Sequence, residues 1–351
     1  MKNIRLNVII ATLLVILLTG CAGIGPGTIT RDQFDYVGAL SDSWKKQMLL
    51  NLVKIRYADA PMFLEVSSII NQYEVESEIN LSATWSNIDS QTVGGSGKYS
   101  DRPTITYNLL TGEKFFRNLM TPIPINGLML LIQAGYPIDF LFRIVVQTIN
   151  GVDNRFGPKI MERSGDPRFY RLVEAMQRVQ KSGGVGIQVK PIDKKEAIVI
   201  FFRQRIGDEI ARDISTIRQI LGLNPDTQEF RVVYGAFAAD DQKIAVLTRS
   251  ILQIMMELAS YIEVPEKDIN EGRTTAIANE NGSGVSPLMR IRSDTSRPEE
   301  AFVVVQYRNN WFWIDDTDFA SKRMFLFLML LISLTDTGDQ TGAPIVTVPT
   351  N

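Results

Sequence analysis

A strict alternation of residue types from Tyr73 to Trp85 restricts the fold of this chain more than any other feature of its sequence. Over these thirteen residues the odd positions hold Tyr, Val, Ser, Ile, Leu, Ala and Trp, and the even positions hold Glu, Glu, Glu, Asn, Ser and Thr. Successive residues of a β-strand lie on opposite faces, so a period of two indicates one apolar and one polar face. The pattern predicts a strand about 43 Å long, at about 3.3 Å per residue, and it argues against a helix here.

We predict that this strand is one arm of a long antiparallel β-hairpin in the N-terminal half of the chain. A loop containing residues 94–97, Gly-Gly-Ser-Gly, follows it. Residues 104–107, Thr-Ile-Thr-Tyr, then have the β-prone composition of a return strand.

The rest of the chain mixes helical and extended patterns. Strands and helices do not alternate as they do in βαβ units, which favours an α+β fold over a doubly wound parallel sheet. We therefore predict mixed helices and antiparallel strands. Periodicity predicts helices at 41–57, 112–120, 125–134, 138–149, 167–181, 209–221, 240–261 and 319–334, and strands at 186–190, 197–203, 230–234, 288–292, 301–307 and 311–314.

Composition excludes several classes of function. The chain has no histidine and one cysteine, so it lacks a Ser-His or Cys-His nucleophile pair, a His-ligated metal and a thiolate zinc site. Its formal charge of -2 and its pI near 5.5 argue against nucleic acid as the main partner. The run Gly-Gly-Val-Gly at 183–186 is predicted to connect a helix to a strand, the reverse of a phosphate-binding loop. We expect no cofactor.

The N-terminus has the pattern of a secretory signal. Lys2 and Arg5 precede an apolar run at residues 8–18. Eleven helical residues reach about 16 Å, roughly half of the ~30 Å hydrocarbon core of a bilayer, so this run is too short for a stable span.

The run ends in Leu18-Thr19-Gly20-Cys21, which resembles the lipobox of bacterial lipoproteins. The resemblance implies cleavage before Cys21, a diacylglyceryl thioether on its sulfur and an acyl group on its new amine. Ala22 resembles the outer-membrane-directed class, because Asp at this place marks retention in the inner membrane. The partner so implied is membrane lipid, with the protein anchored to the outer membrane and facing the periplasm.

Four regions follow from these signals. Residues 1–20 are a signal peptide, 21–30 a lipidated flexible tether, 31–150 an N-terminal α+β domain with the hairpin, and 151–351 a C-terminal α+β domain. The boundary is placed where residues 150–166 are rich in Gly, Pro and charge.

The densest group of carboxylates is a weak candidate for a metal site. Asp315, Asp316 and Asp318 offer the oxygen ligands that Ca²⁺ and Mg²⁺ prefer, but they lack the spacing of an EF-hand loop. These residues precede a predicted helix, where acids cap free N–H groups and meet the positive end of the helix dipole. We expect caps and no bound metal.

Two further clusters invite a catalytic interpretation. Glu74, Glu76 and Glu78 share one face of the predicted strand, where close carboxylates raise one another's pKa. Ser321 and Lys322 are the one His-free serine pair, but adjacent residues of a helix do not face each other. A solvated acidic face and a plain helix are the better interpretations, and we assign no catalytic residue.

The apolar run at 324–334 is too short to span a bilayer and is predicted to be a buried helix, the alternative being a surface that docks a partner or meets a membrane interface. Residues 311–334, together with the region 103–152, resemble uncharacterised bacterial lipoproteins of similar length. That resemblance implies no activity.

Three functions remain, one favoured and two alternatives. We favour a lipid-anchored, non-enzymatic scaffold or accessory subunit of an outer-membrane assembly, with a protein partner or further copies of itself. The first alternative is a lipoprotein enzyme that acts on glycan through its own carboxylates, either Asp315 and Asp316 or the face that carries Glu74, Glu76 and Glu78. The second is a ring-forming outer-membrane pore whose subunits each insert the hairpin, although Asp101, Arg102 and Pro103 interrupt its return strand.

Overall fold

A computed structural model describes residues 24–70, 73–83, 91–101, 104–110, 112–155, 165–192, 195–203, 207–277 and 287–335. The chain divides into two compact units, Met1–Met48 and Leu49–Asn351. Helix α1 (Ile24–Arg56) supplies the described part of the first unit and continues into the second. The second unit holds the other elements: β1 (Phe63–Ile70), β2 (Tyr73–Ala83), β3 (Gln91–Asp101), β4 (Thr104–Leu110), α2 (Gly112–Met120), α3 (Ile125–Gln133), α4 (Ile138–Val145), β5 (Val146–Ile149), β6 (Val152–Asp153), α5 (Pro167–Lys181), β7 (Val185–Ile192), β8 (Lys195–Phe202), α6 (Asp208–Leu221), β9 (Glu229–Tyr234), β10 (Lys243–Thr248), α7 (Ile251–Ala259), α8 (Glu266–Asn270), β11 (Arg292–Asp294), β12 (Val303–Tyr307), β13 (Asn310–Ile314) and α9 (Phe319–Thr335).

Helices and largely antiparallel strands are mixed along the second unit, which confirms the predicted α+β fold class. The main sheet has six strands in the order β6-β5-β10-β9-β8-β7, and only β9 and β10 pair in parallel within it. A second sheet has the order β11-β13-β12 and is antiparallel. The main sheet runs across the position predicted as a domain boundary, because Ile149 of β5 pairs with Val152 of β6.

Helices α5 and α6 begin and end where the sequence predicts. Asp166 caps α5, since its carboxylate accepts a hydrogen bond from the backbone N–H of Arg168 at 2.8 Å, and Pro167 occupies the first turn. Gly222 ends α6 in the left-handed conformation, with φ of 65°, which glycine adopts at little cost.

The helix predicted at 240–261 is wrong in its first half. Residues 243–248 form strand β10, which pairs with both β9 and β5, and helix α7 begins only at Ile251. Ser250 starts this helix through a capping box with Gln253, in which each side chain bonds the other residue's backbone N–H. The helical spacing of the apolar residues was therefore coincidental across β10.

The core consists of the apolar faces of helices α4, α5, α7 and α9 together with strands β5, β9 and β10. Helix α9 buries one face but leaves Leu326 and Leu330 exposed, so the prediction of a fully buried helix holds for part of its surface. Fully buried members of the core include Leu141, Ile144, Ile149, Phe169, Leu172, Phe230, Ile244, Ile254, Leu258, Phe325 and Leu328.

Candidate functional site: an exposed antiparallel ribbon

Strands β1 to β4, hereafter the ribbon, make two antiparallel ladders. The register of the β1–β4 ladder shifts by one residue between Val66 and Ser68, and from Ser68 onward the two ladders keep one register. β1 pairs with β4 as far as Ile70 opposite Thr104, and β2 pairs with β3 from Tyr73 opposite Asp101. Tyr73 comes three residues after Ile70, and Asp101 comes three residues before Thr104, so the spacing between the two pairs is equal on both strands. The ladders are therefore collinear in their pairing. The β2–β3 ladder ends at Ala83 opposite Gln91.

The hairpin is not confirmed in the form predicted from the sequence. The expected return strand at 104–107 lies in β4 and pairs with β1, whereas β2 pairs with β3. The predicted loop at 94–97 is wrong, because these residues lie inside β3. Glycine disfavours a strand interior but still offers its N–H and C=O for pairing, and the flanking Val93 and Tyr99 are β-prone. Trp85 lies outside the described residues.

The register places an apolar and a polar set of residues on opposite faces of the β2–β3 ladder. Paired residues share a face, and each face recurs every second residue. One face carries Tyr73, Val75, Ser77, Ile79, Leu81 and Ala83 of β2 with Asp101, Tyr99, Gly97, Gly95, Val93 and Gln91 of β3. The other carries Glu74, Glu76, Glu78, Asn80 and Ser82 with Ser100, Lys98, Ser96, Gly94 and Thr92.

The polar face is acidic. Its three glutamates are paired in the register with Ser100, Lys98 and Ser96. The face therefore carries three negative charges and one positive charge in the β2–β3 ladder. It holds no large apolar residue.

The ribbon stands apart from the other elements of the described chain. The close contacts of β2 are with β3 and those of β1 are with β4, and no helix or further strand packs extensively on any of the four. β2 and β3 form a sheet of two strands, so the outer edge of each has no neighbouring strand among the described residues. An isolated two-stranded sheet is marginally stable in water, and its open edges are templates for pairing with another chain.

At the base of the ribbon, large apolar side chains are exposed. In β4, Ile105 is 39% exposed, Tyr107 55% and Leu109 45%. These alternate residues share a face, and Leu64 of β1, 41% exposed, pairs with Leu109. Apolar residues exposed side by side on one face are typical of surfaces that contact protein or lipid.

A buried asparagine fixes the start of the ribbon to the folded unit. Asn51 of α1 is 1% exposed, and its side-chain amide bonds both backbone groups of Met62, the residue before β1. The Nδ2 atom donates to the Met62 carbonyl at 2.7 Å, and the Oδ1 atom accepts from the Met62 N–H at 2.9 Å. The sequence does not predict the contact between Asn51 and Met62, because an Asn in a helix gives no indication of a partner eleven residues away.

Replacing Asn51 by alanine is expected to lower the free energy of unfolding by about 2–4 kcal/mol, because two backbone groups beside a buried site lose their partner. Urea unfolding of the full chain in detergent, followed by circular dichroism, measures the change. The matched control is Asn270→Ala, at an exposed position at the end of α8, which should change stability by no more than about 0.5 kcal/mol. Equal effects of the two variants would show that the Asn51 amide does not hold the strand.

Beyond the ribbon, the chain bonds to the folded unit at Ile123, which follows β4 and α2. After β4 and α2, the backbone N–H of Ile123 donates to the Arg249 carbonyl at 3.0 Å. The hydroxyl of Thr248 donates to the Ile123 carbonyl at 2.7 Å. The chain is therefore bonded to the folded unit directly before the ribbon, at Met62, and again after α2, at Ile123.

The three aspartates proposed as a weak metal site point to different partners. Asp315 accepts bonds from the N–H and hydroxyl of Thr317, at 2.9 and 2.6 Å, and these bonds lower its pKa. Asp318 accepts from the N–H of Ser321 at 3.0 Å, directly before α9. Asp316 pairs with Lys322 at 2.8 Å. The described residues contain no group of three His, Cys, Asp or Glu side chains that could hold a metal ion.

The side chains of Ser321 and Lys322 are likewise already bonded to other groups, Lys322 to Asp316 and Ser321 as follows. The Ser321 hydroxyl donates to Asp318 at 2.7 Å and accepts from the backbone N–H of Arg290 at 2.9 Å. The Gly-Gly-Val-Gly run connects α5 to β7, with Gly183 at a φ of 68°, as predicted for a helix-to-strand connector.

An open cleft of about 580 Å³ lies beside β8 and β9. Its lining is largely apolar and includes residues 122–126, Glu196 and Arg231. None of the acids suggested from the sequence for carboxylate chemistry lines this cleft. The cleft therefore does not join them into a site.

Comparison with known proteins gives no relative: no family model, no curated protein and no solved structure matches this chain. Among the described residues, every helix is too short or too polar to cross a membrane. Cys21, the residue predicted to carry lipid, lies outside the described residues.

Proposed function

We propose that this chain is a lipid-anchored, non-enzymatic subunit of a cell-envelope assembly, held at the outer membrane through acyl groups on Cys21. Its partners are membrane lipid and, in the assembly, either other polypeptides or further copies of the chain. Its work is to build the assembly and not to transform a substrate.

The ribbon is the observation that carries this proposal. Among the described residues no strand pairs with the outer edges of the β2–β3 ladder and no helix packs extensively on it, and a two-stranded ladder with an apolar face is costly to expose to water in this way. Such a surface is expected only where another molecule covers it. The bonds that Asn51 makes to Met62 fix the start of the ribbon to the folded unit.

The anchor is supported by sequence alone. The single cysteine of the chain stands at the end of the lipobox-like Leu18-Thr19-Gly20-Cys21. Several acyl chains bury many methylene groups at about 0.8 kcal/mol each, so the attachment would be permanent on a cellular timescale.

Replacing Cys21 by serine is expected to leave an uncleaved precursor that takes up no palmitate analogue, because a hydroxyl cannot form the thioether. Metabolic labelling and fractionation of the envelope measure this. Thr19→Ser, which keeps a small residue within the lipobox, is the control and should be labelled as the parent chain is. Labelling that persists in Cys21→Ser would refute the anchor.

The subunit role is tested by native mass spectrometry of the full chain extracted in mild detergent. We expect the chain in a particle larger than the monomer, whether it contains further copies or other polypeptides. A monomer under conditions that preserve other envelope complexes would overturn the proposed function.

A further inference from the structure

We infer that the β2–β3 part of the ribbon inserts into the membrane, and that ribbons from several copies of this chain pair edge to edge into a closed ring around a water-filled, cation-preferring passage. The inference deepens the proposed function and rests on it, since it names copies of the chain as the partner and lipid as the cover of the apolar face.

The length of the ladder fits the hydrocarbon layer. Eleven residue pairs join β2 and β3, which corresponds to about 36 Å of strand. At a tilt of about 45°, such a ladder is about 25 Å tall, which matches the apolar band of membrane-inserted strands. Membrane strands of about 9–11 residues are the usual length.

The distribution of residues on the two faces fits lipid on one side and water on the other. The face of Val75, Ile79 and Leu81 has its strongly polar residues at its two ends, Asp101 opposite Tyr73 and Gln91 opposite Ala83, with one small hydroxyl, that of Ser77, between them. The face of the three glutamates is polar throughout. In the sequence, Asp101, Arg102 and Pro103 interrupt the predicted return strand, which argues against insertion of that strand into a membrane. In the structure Asp101 is the last residue of β3, so the eleven pairs lie before that interruption.

The open edges select the partner. In hydrocarbon every backbone N–H and C=O must be bonded within protein, so a single two-stranded ribbon cannot remain there. Identical ribbons pair along these edges until the first meets the last, and only closure leaves no edge. Other proteins could supply strands, but a copy brings the same length, the same alternation and the same tilt. Each copy adds two strands, which gives the even number usual for antiparallel membrane strands.

The charge of the polar face sets the expected selectivity. Glu74, Glu76 and Glu78 against Lys98 leave a net charge of two negative units per copy. A ring repeats this charge around the passage, and rings of acidic residues favour cations. The passage should therefore admit K⁺ more readily than Cl⁻.

The test uses the full lipidated chain purified in detergent. Native mass spectrometry counts the copies, and planar bilayers of phosphatidylethanolamine and phosphatidylglycerol, with a KCl gradient, report conductance and reversal potential. We expect a particle of identical copies and discrete conductance steps with a preference for K⁺.

The decisive variant replaces Glu74, Glu76 and Glu78 together by glutamine. It should lower the K⁺/Cl⁻ permeability ratio several-fold while the number of copies stays the same. The matched control removes the same charge from exposed positions of the folded unit through Glu174→Gln, Glu299→Gln and Glu300→Gln, and should leave the ratio unchanged. If both triple variants change the ratio equally, the glutamate face does not line the passage and the inference is wrong.

The two proposals fail in different ways. A particle in which this chain is combined with other polypeptides, without conductance steps, would overturn the ring and leave the proposed subunit role intact. A homo-oligomer without conductance above that of empty bilayers would also overturn the ring alone. A monomer, with or without acyl groups, would overturn both.

Discussion

Replacing Arg249 by methionine is expected to lower the melting temperature of the full chain by about 10 °C or more, or to prevent folding altogether. Arg249 is fully buried, and its guanidinium donates to the carbonyls of Arg143 and Ile144, each at 3.2 Å, and to the carbonyl of Arg155. Arg143 and Ile144 lie in the last turn of α4. The last carbonyls of a helix lack intrahelical partners, and a cation there also meets the negative end of the helix dipole.

Methionine fills a similar volume but donates no hydrogen bond. Asn154 also donates a hydrogen bond to the Arg143 carbonyl, at 3.0 Å, so that carbonyl keeps a partner in the variant. The carbonyls of Ile144 and Arg155 lose the hydrogen bond that the guanidinium donates. Each buried acceptor left unpaired costs about 1–3 kcal/mol, and the sum is a large share of the 5–15 kcal/mol that stabilises a typical domain. At about 2–4 °C per kcal/mol, the shift in melting temperature follows.

Circular dichroism of the full chain in detergent gives the melting temperature. Arg171→Met, at an exposed position of α5, makes the same chemical change on the surface and should shift it by about 2 °C or less. Arg249→Lys keeps the charge with a compact donor that cannot reproduce the planar fork, and should fall between the two. If Arg249→Met melts with the parent chain, the carbonyls do not depend on this guanidinium.

The strand before Arg249 shows where pattern reasoning fails. Ile244, Leu247 and Ile251 have helical spacing, yet the first two lie in β10. Their spacing cannot reveal that strands β5 and β9 lie on both sides of residues 243–248. A better signal was present, because Ser250 and Gln253 form a capping-box sequence before an apolar run and so mark where a helix begins. Long-range pairing here overrides the local period.

The ribbon was predictable in part. The alternation from Tyr73 specifies a strand with two unlike faces, but it does not specify the partner. The glycines of residues 94–97 resemble a loop by composition, which displaced the expected return strand to 104–107. Two cross-strand pairs of the register, Glu76 with Lys98 and Val75 with Tyr99, are complementary in charge and in apolar character. Such complementarity is visible in the sequence once the register is known.

The sequence predicts the roles of polar residues that bond their neighbours in the chain, but not the roles of those that bond residues far away in sequence. Asp318 and Gly222 act within a few residues of their own positions, as a helix cap and a helix end, and the sequence predicts both. Asn51 bonds a residue eleven positions away and Arg249 bonds carbonyls about a hundred positions away. Their roles depend on the fold, so residue type and spacing carry no signal for them.

The effect of a charge introduced into β2 should depend on which face of the ribbon carries it, and therefore on whether the residue number is odd or even. It should not depend on how far along the strand the charge lies. Leu81 lies on the apolar face opposite Val93, and Ser82 lies on the polar face opposite Thr92. Leu81→Asp places a carboxylate where lipid or another apolar surface is expected, which costs several kcal/mol unless the group takes up a proton. Ser82→Asp places the same charge beside existing carboxylates, in water, and should be nearly neutral.

The measurement separates stability from assembly. Because no other element of the described chain packs extensively on the β2–β3 ladder, neither variant should lower the melting temperature of the folded unit by more than about 2 °C. In native mass spectrometry, Leu81→Asp should remain monomeric and give no conductance steps, whereas Ser82→Asp should assemble and conduct as the parent chain does. A helix would not give this contrast between neighbours, because its faces repeat every 3.6 residues. Loss of assembly in both variants, or in neither, would mean that the two faces of the ribbon are not in different surroundings, and the membrane-inserted ring would have to be abandoned.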